Sequence, residues 1–373
     1  MFKNRSKFPA MLMLAFVLLT GCWDSTDVNN QNLVTMVILD KQGDTFSFIV
    51  EIAKVSPLGE SASGAGPQKQ VYLLGTGKDF AQARDSLDMQ MDKPAFLGTV
   101  RALVLTERAA ANDFTEYMFR LRENQEYRQK VNITITAEEP KALTEYENEN
   151  DKPAGFIIDN TIVTATMLGH TCAVTTEDYI NDILRKRGFL IQHIALTDRQ
   201  IKLDGYSVFR DAKLAGFIPM EESHGMTYIL AKHPVWVYRL PGGGGYVTAE
   251  VELSGRTVKP SYQAGRTGFQ IRLSFKATIQ YNSDPILFPM NAQNMEKLSG
   301  DLNQVLASEV RMAIEQSQVQ FQCDYLRLGE AFRIAYPDVY DQMDWLSEYP
   351  KAEIEVGTYV DLSVSEKMDI EAP

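Results

Sequence analysis

Three runs in the C-terminal half alternate apolar and polar residues, a pattern that a strand with one buried face accommodates. Val247, Ala249, Val251 and Leu253 form the first. Phe269, Ile271, Leu273, Phe275, Ala277, Ile279 and Tyr281 form the second, and Ile354, Val356, Thr358, Val360, Leu362 and Val364 the third. A period of two sends alternate side chains to one face, as in an antiparallel sheet with one dry side and one wet side. Between the second and third runs, Met295, Leu298, Leu302, Leu306, Val310, Ile314, Ser317, Phe321 and Tyr325 recur every three or four positions. That spacing predicts a long amphipathic helix. A further helix is expected over 326–336, stopping before Pro337. Residues 205–210 and 214–218 flank Asp211-Ala212-Lys213 as a hairpin. Residues 201–373 are therefore expected to form an α+β domain, an antiparallel sheet packed against long helices.

Residues 22–200 read differently, as an α/β region of two subdomains behind a polar tether at 22–32. Strand-like runs at 33–39 and 46–53 surround Gln42-Gly43-Asp44 and predict a hairpin. Residues 56–67 are rich in Gly, Ser and Pro and read as a loop. Short strands are expected at 71–74, 100–105 and 131–136. Phe80, Ala83, Leu87 and Met91 carry a helix over 79–91. Asn112 is expected to cap a helix bearing Phe114, Tyr117, Met118 and Leu121. The charged stretch 145–152 reads as a loop, and Thr175 or Thr176 starts a helix through Leu184.

The first 21 residues have the form of an export signal. Lys3, Arg5 and Lys7 precede an apolar run over 11–19, the length of a signal h-region and too short to span a bilayer. It ends in Leu19-Thr20-Gly21-Cys22, a lipobox. The Cys22 thiolate is the soft nucleophile that takes a diacylglyceryl group by thioether formation. Cleavage before it leaves Cys22 as an acylated N-terminus on the outer face of a bacterial cytoplasmic membrane. More than one acyl chain holds far more firmly than one.

The chain carries a formal charge of −12, and loss of the signal makes it more acidic. Such a surface argues against nucleic acid and against broad contact with anionic lipid. The composition, 45% hydrophobic and 23% charged, is that of a globular protein. Beyond Cys22, only Cys172 and Cys323 remain; a disulfide and two separate buried thiols are both open.

Catalysis needs convergent groups, and none stands out. His170, His193, His224 and His233 show no metal-binding spacing, and His170-Thr171-Cys172 lacks a second ligand pair. Gly242-Gly243-Gly244-Gly245 lacks the Lys-Ser/Thr of a phosphate loop and precedes a strand, which makes it a hairpin turn. Trp236 and Trp345 are candidates for core or interface. No metal and no cofactor beyond the lipid on Cys22 is expected, and the chain is expected to act by contact rather than as an enzyme.

Three stretches together resemble the spore germination receptor C-subunit family, the Ger(x)C lipoproteins. They are Gly21-Cys22-Trp23-Asp24, the hairpin from Asp204 through Val208-Phe209-Arg210-Asp211-Ala212-Lys213-Leu214-Ala215-Gly216-Phe217 to Glu222, and Cys323-Asp324-Tyr325-Leu326-Arg327-Leu328-Gly329-Glu330. Arg122-Glu123-Asn124-Gln125-Glu126 departs from the Arg-Asp-Pro-Glu type of turn that is frequent in the family. The resemblance implies a fold of about three mixed α/β domains and a non-enzymatic subunit of a nutrient receptor in the spore inner membrane. It also implies assembly with two integral membrane subunits, A and B. Only Cys22, with Leu19, Thr20 and Gly21, transfers as a functional site. The competing readings are a solute-binding lipoprotein of an importer, which would show two lobes with parallel sheets, and an envelope hydrolase, which would need a nucleophile and base.

Overall fold

The computed structural model describes residues 30–53, 70–112, 115–123, 127, 130–146, 152–172, 174 and 176–365. Two sheets organise them. The first contains β1 (Asn32–Gln42), β2 (Thr45–Ile52), β3 (Val71–Gly77), β4 (Ala95–Phe96), β5 (Ala102–Thr106), β6 (Asn132–Thr136), β7 (Phe189–Thr197), β8 (Gln200–Arg210) and β9 (Lys213–Pro219). Its order is β3-β2-β1-β5-β6-β7-β8-β9, with β4 paired to the start of β1. The centre, β1-β5-β6-β7, is parallel. The flanks are antiparallel hairpins. A parallel centre is covered on both faces, so its strands are apolar on both sides. One face packs Val37, Leu39, Leu103 and Leu105, and the other packs Met36, Ile38, Ala102 and Val104.

The expected β1–β2 hairpin forms, with Gly43 in the left-handed region at φ 58°. The loop expected at 56–67 lies outside the described residues. Helix α1 (Phe80–Asp88) begins where Asp79 accepts from the Gln82 backbone N–H at 2.9 Å. Asn112 behaves differently from expectation. The Thr106 hydroxyl caps a short helix, α2 (Glu107–Ala110), and the Asn112 amide donates to the Arg108 carbonyl at 2.8 Å, closing that helix. The next helix, α3 (Thr115–Glu123), starts beyond it.

Two elements carry no periodic signal. Strand β7 is buried on both faces over most of its length, so no alternation marks it. Helix α4 (Ala154–Met167) is apolar on several sides and has no polar cap of its own. Glu51 anchors it instead. This carboxylate is 1% exposed and accepts from the Ala154 and Gly155 backbone N–H groups at 2.7 and 3.0 Å. It also accepts from the hydroxyls of Thr35 and Tyr72 at 2.6 and 2.8 Å. A negative charge at a helix N-terminus is favourable, and four donors offset its removal from water. Glu51→Gln presents an amide N–H₂ to donors and is expected to lower stability by about 2 kcal/mol. Urea denaturation measures it; a loss near zero would mean that α4 docks without the carboxylate.

The second sheet contains β10 (Val235–Gly242), β11 (Gly245–Gln263), β12 (Arg266–Asn282) and β13 (Glu353–Val364), in that order. Gly242 pairs with Gly245, so the glycine run is the β10–β11 turn. Strand β11 runs well past the expected 247–253. Its second half pairs with β12 but contributes only Val258 and Tyr262 to the apolar packing, which leaves the sequence signal sparse. The sheet is not wholly antiparallel as expected: β13 runs parallel to β12. The segment between them contains a long helix and returns the chain to the end of the sheet where β12 began, the geometry of a crossover.

That helix, α6 (Ala292–Glu315), follows α5 (His224–Leu230) among the elements on this sheet and buries Leu298, Leu302, Leu306, Val310 and Ile314. It ends sooner than the periodicity suggests. A single π turn over Gln316–Gln320 closes it, and Phe321 and Tyr325 lie beyond, still buried. The following helix, α7 (Leu328–Ala335), starts late because Arg327 adopts the left-handed region at φ 59°.

The boundary expected between residues 200 and 201 falls at the start of β8, just past the two-residue turn that joins it to β7. Strands β8 and β9 extend the first sheet to Pro219. One apolar core fills the second sheet and its helices, and two others cover opposite faces of the first. Only the first sheet has a parallel centre, unlike the paired parallel lobes of an importer's binding protein.

Candidate functional site

The residues that carry the expected lipid site, Leu19, Thr20, Gly21 and Cys22, lie outside the described residues. The other two stretches singled out above meet at the seam between the two sheets. In the β8–β9 hairpin, Asp211 and Ala212 both take positive φ, 51° and 58°, as a tight two-residue turn requires. Val208 and Phe209 are fully buried. A Cβ at Gly216 would sit 2.6 Å from the Phe321 ring, so only glycine admits that aromatic against the hairpin. The Cys323 thiol then lies 3.7 Å from the Phe209 carbonyl.

The next residue, Asp324, is 1% exposed. Its carboxylate accepts from the Leu328 and Gly329 backbone N–H groups and from the Trp345 indole N–H at 2.9 Å. It caps α7 from four positions upstream and ties the helix to Trp345, itself 4% exposed. Burial lifts the Asp324 carboxyl above its ordinary range, and the three N–H donors oppose that rise. Gly329 is required at this point, because a Cβ would press on the Trp345 indole.

Charge crosses the seam three residues after Asp324, at Arg327. The helix Thr176–Leu184 brings Asp182, 2% exposed, against two guanidinium groups. Arg187 and Arg327 each approach it at 2.9 Å. Arg187 is 4% exposed. Asp178 and Glu330 stand farther out, at 3.7 Å from Arg327 and 3.8 Å from Arg187. Burial raises the Asp182 carboxyl despite both arginines. Burial also opposes the Arg327 charge, but Asp182 and Asp178 outweigh it and hold that guanidinium protonated. The left-handed turn at Arg327 is what aims its side chain across the seam while Asp324, three residues before, points back into the second core.

The remaining candidate residues are engaged separately. Cys172 and Cys323 are free thiols, and burial pushes each up to about 12, which suppresses thiolate chemistry. His170 Nδ1 lies 3.0 Å from the Val235 carbonyl, and Thr171 shares a hydrogen bond with Tyr206 at 2.7 Å. Trp236 stacks on His224 at 4.0 Å and donates to the Thr227 hydroxyl at 2.9 Å. Among the described residues no helix is long and apolar enough to cross a membrane. Asp182 and Arg187 stand five apart in a charged helix end that reads as solvated, so no local signal marks them as buried. The arrangement unites two structural halves and offers no nucleophile beside a base.

Residues 24–196 match the family described as spore germination protein N-terminal domain, and residues 204–365 match the one described as spore germination B3/GerAC-like, C-terminal. The chain belongs to the Ger(x)C spore germination family. Spore germination protein B3 of Bacillus subtilis (strain 168) is 20% identical, over 91% of this chain and 92% of that protein. Spore germination protein A3 of the same organism is 21% identical over 74% of each. The crystal structure of the GerBC protein superposes with a TM-score of 0.57 at 14% identity, covering 87% of this chain and 96% of that one. That likeness establishes a shared fold along nearly the whole of the solved chain.

Proposed function

We propose that this chain is the lipid-anchored C component of a nutrient germinant receptor, seated on the outer face of the spore inner membrane through Cys22. It acts by contact with the integral A and B subunits rather than by catalysis. The observation that carries this reading is the match of both halves to the germination family, in the order and spacing of the whole mature chain. The lipobox ending in Cys22 supports the anchor. A seam that commits its buried charges to joining the two sheets supports a rigid body suited to docking.

Capture of the full chain from detergent-solubilised spore membranes is expected to recover two multi-span proteins. Cys22→Ala is expected to keep the fold, lose fatty-acid labelling and release the chain from membranes that lack those partners. Recovery of no integral protein, or fatty-acid labelling that persists in the variant, would overturn the receptor reading and the anchor respectively.

A further inference from the structure

At one place the first sheet changes direction. From the carboxyl end of β1 the chain turns through Gly43 to β2 on one side. From the carboxyl end of β5, its parallel neighbour, the chain leaves through α2 toward β6 on the other side. Adjacent parallel strands whose connections diverge in this way leave a crevice at their carboxyl ends, which is where open α/β sheets take ligands.

A cavity of about 170 Å³ occupies that position. Leu39 from β1 and Leu105 from β5, each 1% exposed, form its deep lining, and Phe46 and Phe80 form an aromatic wall. Lys41 and Lys78 stand at its more exposed side. Lys41 Nζ donates to the Asn112 carboxamide at 3.3 Å. Among the described residues neither ammonium meets a carboxylate at ion-pair distance, although the chain as a whole is strongly acidic. Asp79 also lines the cavity, and its carboxylate is engaged as the cap of α1. A cavity of roughly 150 Å³ lined by aliphatic and aromatic groups admits benzene, so this one takes an apolar group of about that size.

The geometry points to a binding site for a small carboxylate with one compact apolar group, its anion held by Lys41 and Lys78 and its apolar part among Leu39, Leu105, Phe46 and Phe80. A charge-assisted hydrogen bond orients the anion and dry apolar contact supplies the rest, the usual division of labour in small-molecule sites. The inference stands apart from the receptor reading, since it concerns this chain alone.

Calorimetry on the full chain in detergent tests it, with 4-methylpentanoate and its uncharged amide as probes. The acid is expected to bind saturably and the amide about tenfold more weakly. Lys41→Gln and Lys78→Gln are each expected to weaken the acid about tenfold, with the melting temperature unchanged because both side chains are at least partly exposed. Ala109→Leu, which fills the cavity from α2, is expected to abolish binding of both probes. Absence of saturable binding at millimolar acid, equal binding of acid and amide, or undiminished binding by both lysine variants overturns the proposal.

Discussion

Asp182→Ala is expected to destabilise the chain by about 3–5 kcal/mol and to uncouple its two halves. The carboxylate lies between Arg187 and Arg327, at 2.9 Å from each. Its removal leaves Arg187, which is 4% exposed, without its near partner, because Glu330 is 3.8 Å away and half-exposed. An uncompensated buried guanidinium is far more costly than the net gain from the pair it once formed. Arg327 loses its near contact across the seam and keeps only Asp178 at 3.7 Å. Calorimetric unfolding reads both effects: the wild-type chain is expected to melt in one transition, and the variant in two, the first at lower temperature. Arg327→Met in the same background adds little, since its near partner is already gone and only the more exposed Asp178 remains; a double-mutant cycle therefore shows strong non-additivity. A single transition with a loss under about 1 kcal/mol would mean that apolar packing alone holds the seam.

Asp324→Ala is expected to cost a similar amount, about 3–5 kcal/mol, but within the second half. Three buried donors lose their acceptor together: the N–H groups of Leu328 and Gly329 and the indole of Trp345. Each unsatisfied buried donor costs about 1–3 kcal/mol, and relief from desolvating the carboxylate returns part of that sum. Asp324→Asn keeps one acceptor oxygen and turns an N–H₂ toward the remaining donors, so it should fall between wild type and alanine. Urea denaturation gives the loss. Tryptophan emission gives its location, because Trp345 is buried at 4% exposure and is released when its indole loses this partner. An unchanged emission maximum alongside a large loss would place the damage at α7 rather than at the indole.

The elements with one buried face were legible. Strand β12 and helix α6 alternate or repeat because solvent lies on one side of each, and the period survives in the residues. The tetraglycine turn was legible for a related reason: it is a local chemical requirement. Strand β7 was not, because burial on both faces erases the alternation. Helix α4 was not, because its N-terminus is satisfied by Glu51, a hundred residues earlier in the chain. The direction of β13 was also invisible, since period two is the same for parallel and antiparallel neighbours. The extent of the candidate site followed the same line. The hairpin and the Cys323–Glu330 stretch could be singled out as residues, but the closeness of Asp182, Arg187 and Arg327 could not.

Sequence by itself determined the α+β character and the kinship to the germination family, because these rest on periodicity and residue order. Tertiary structure alone decided which charges are buried together, where β1 and β5 part to leave a cavity, and how the sheets are joined. Those depend on pairings between residues far apart in the chain, and burial, unlike periodicity, is a property that no single segment carries.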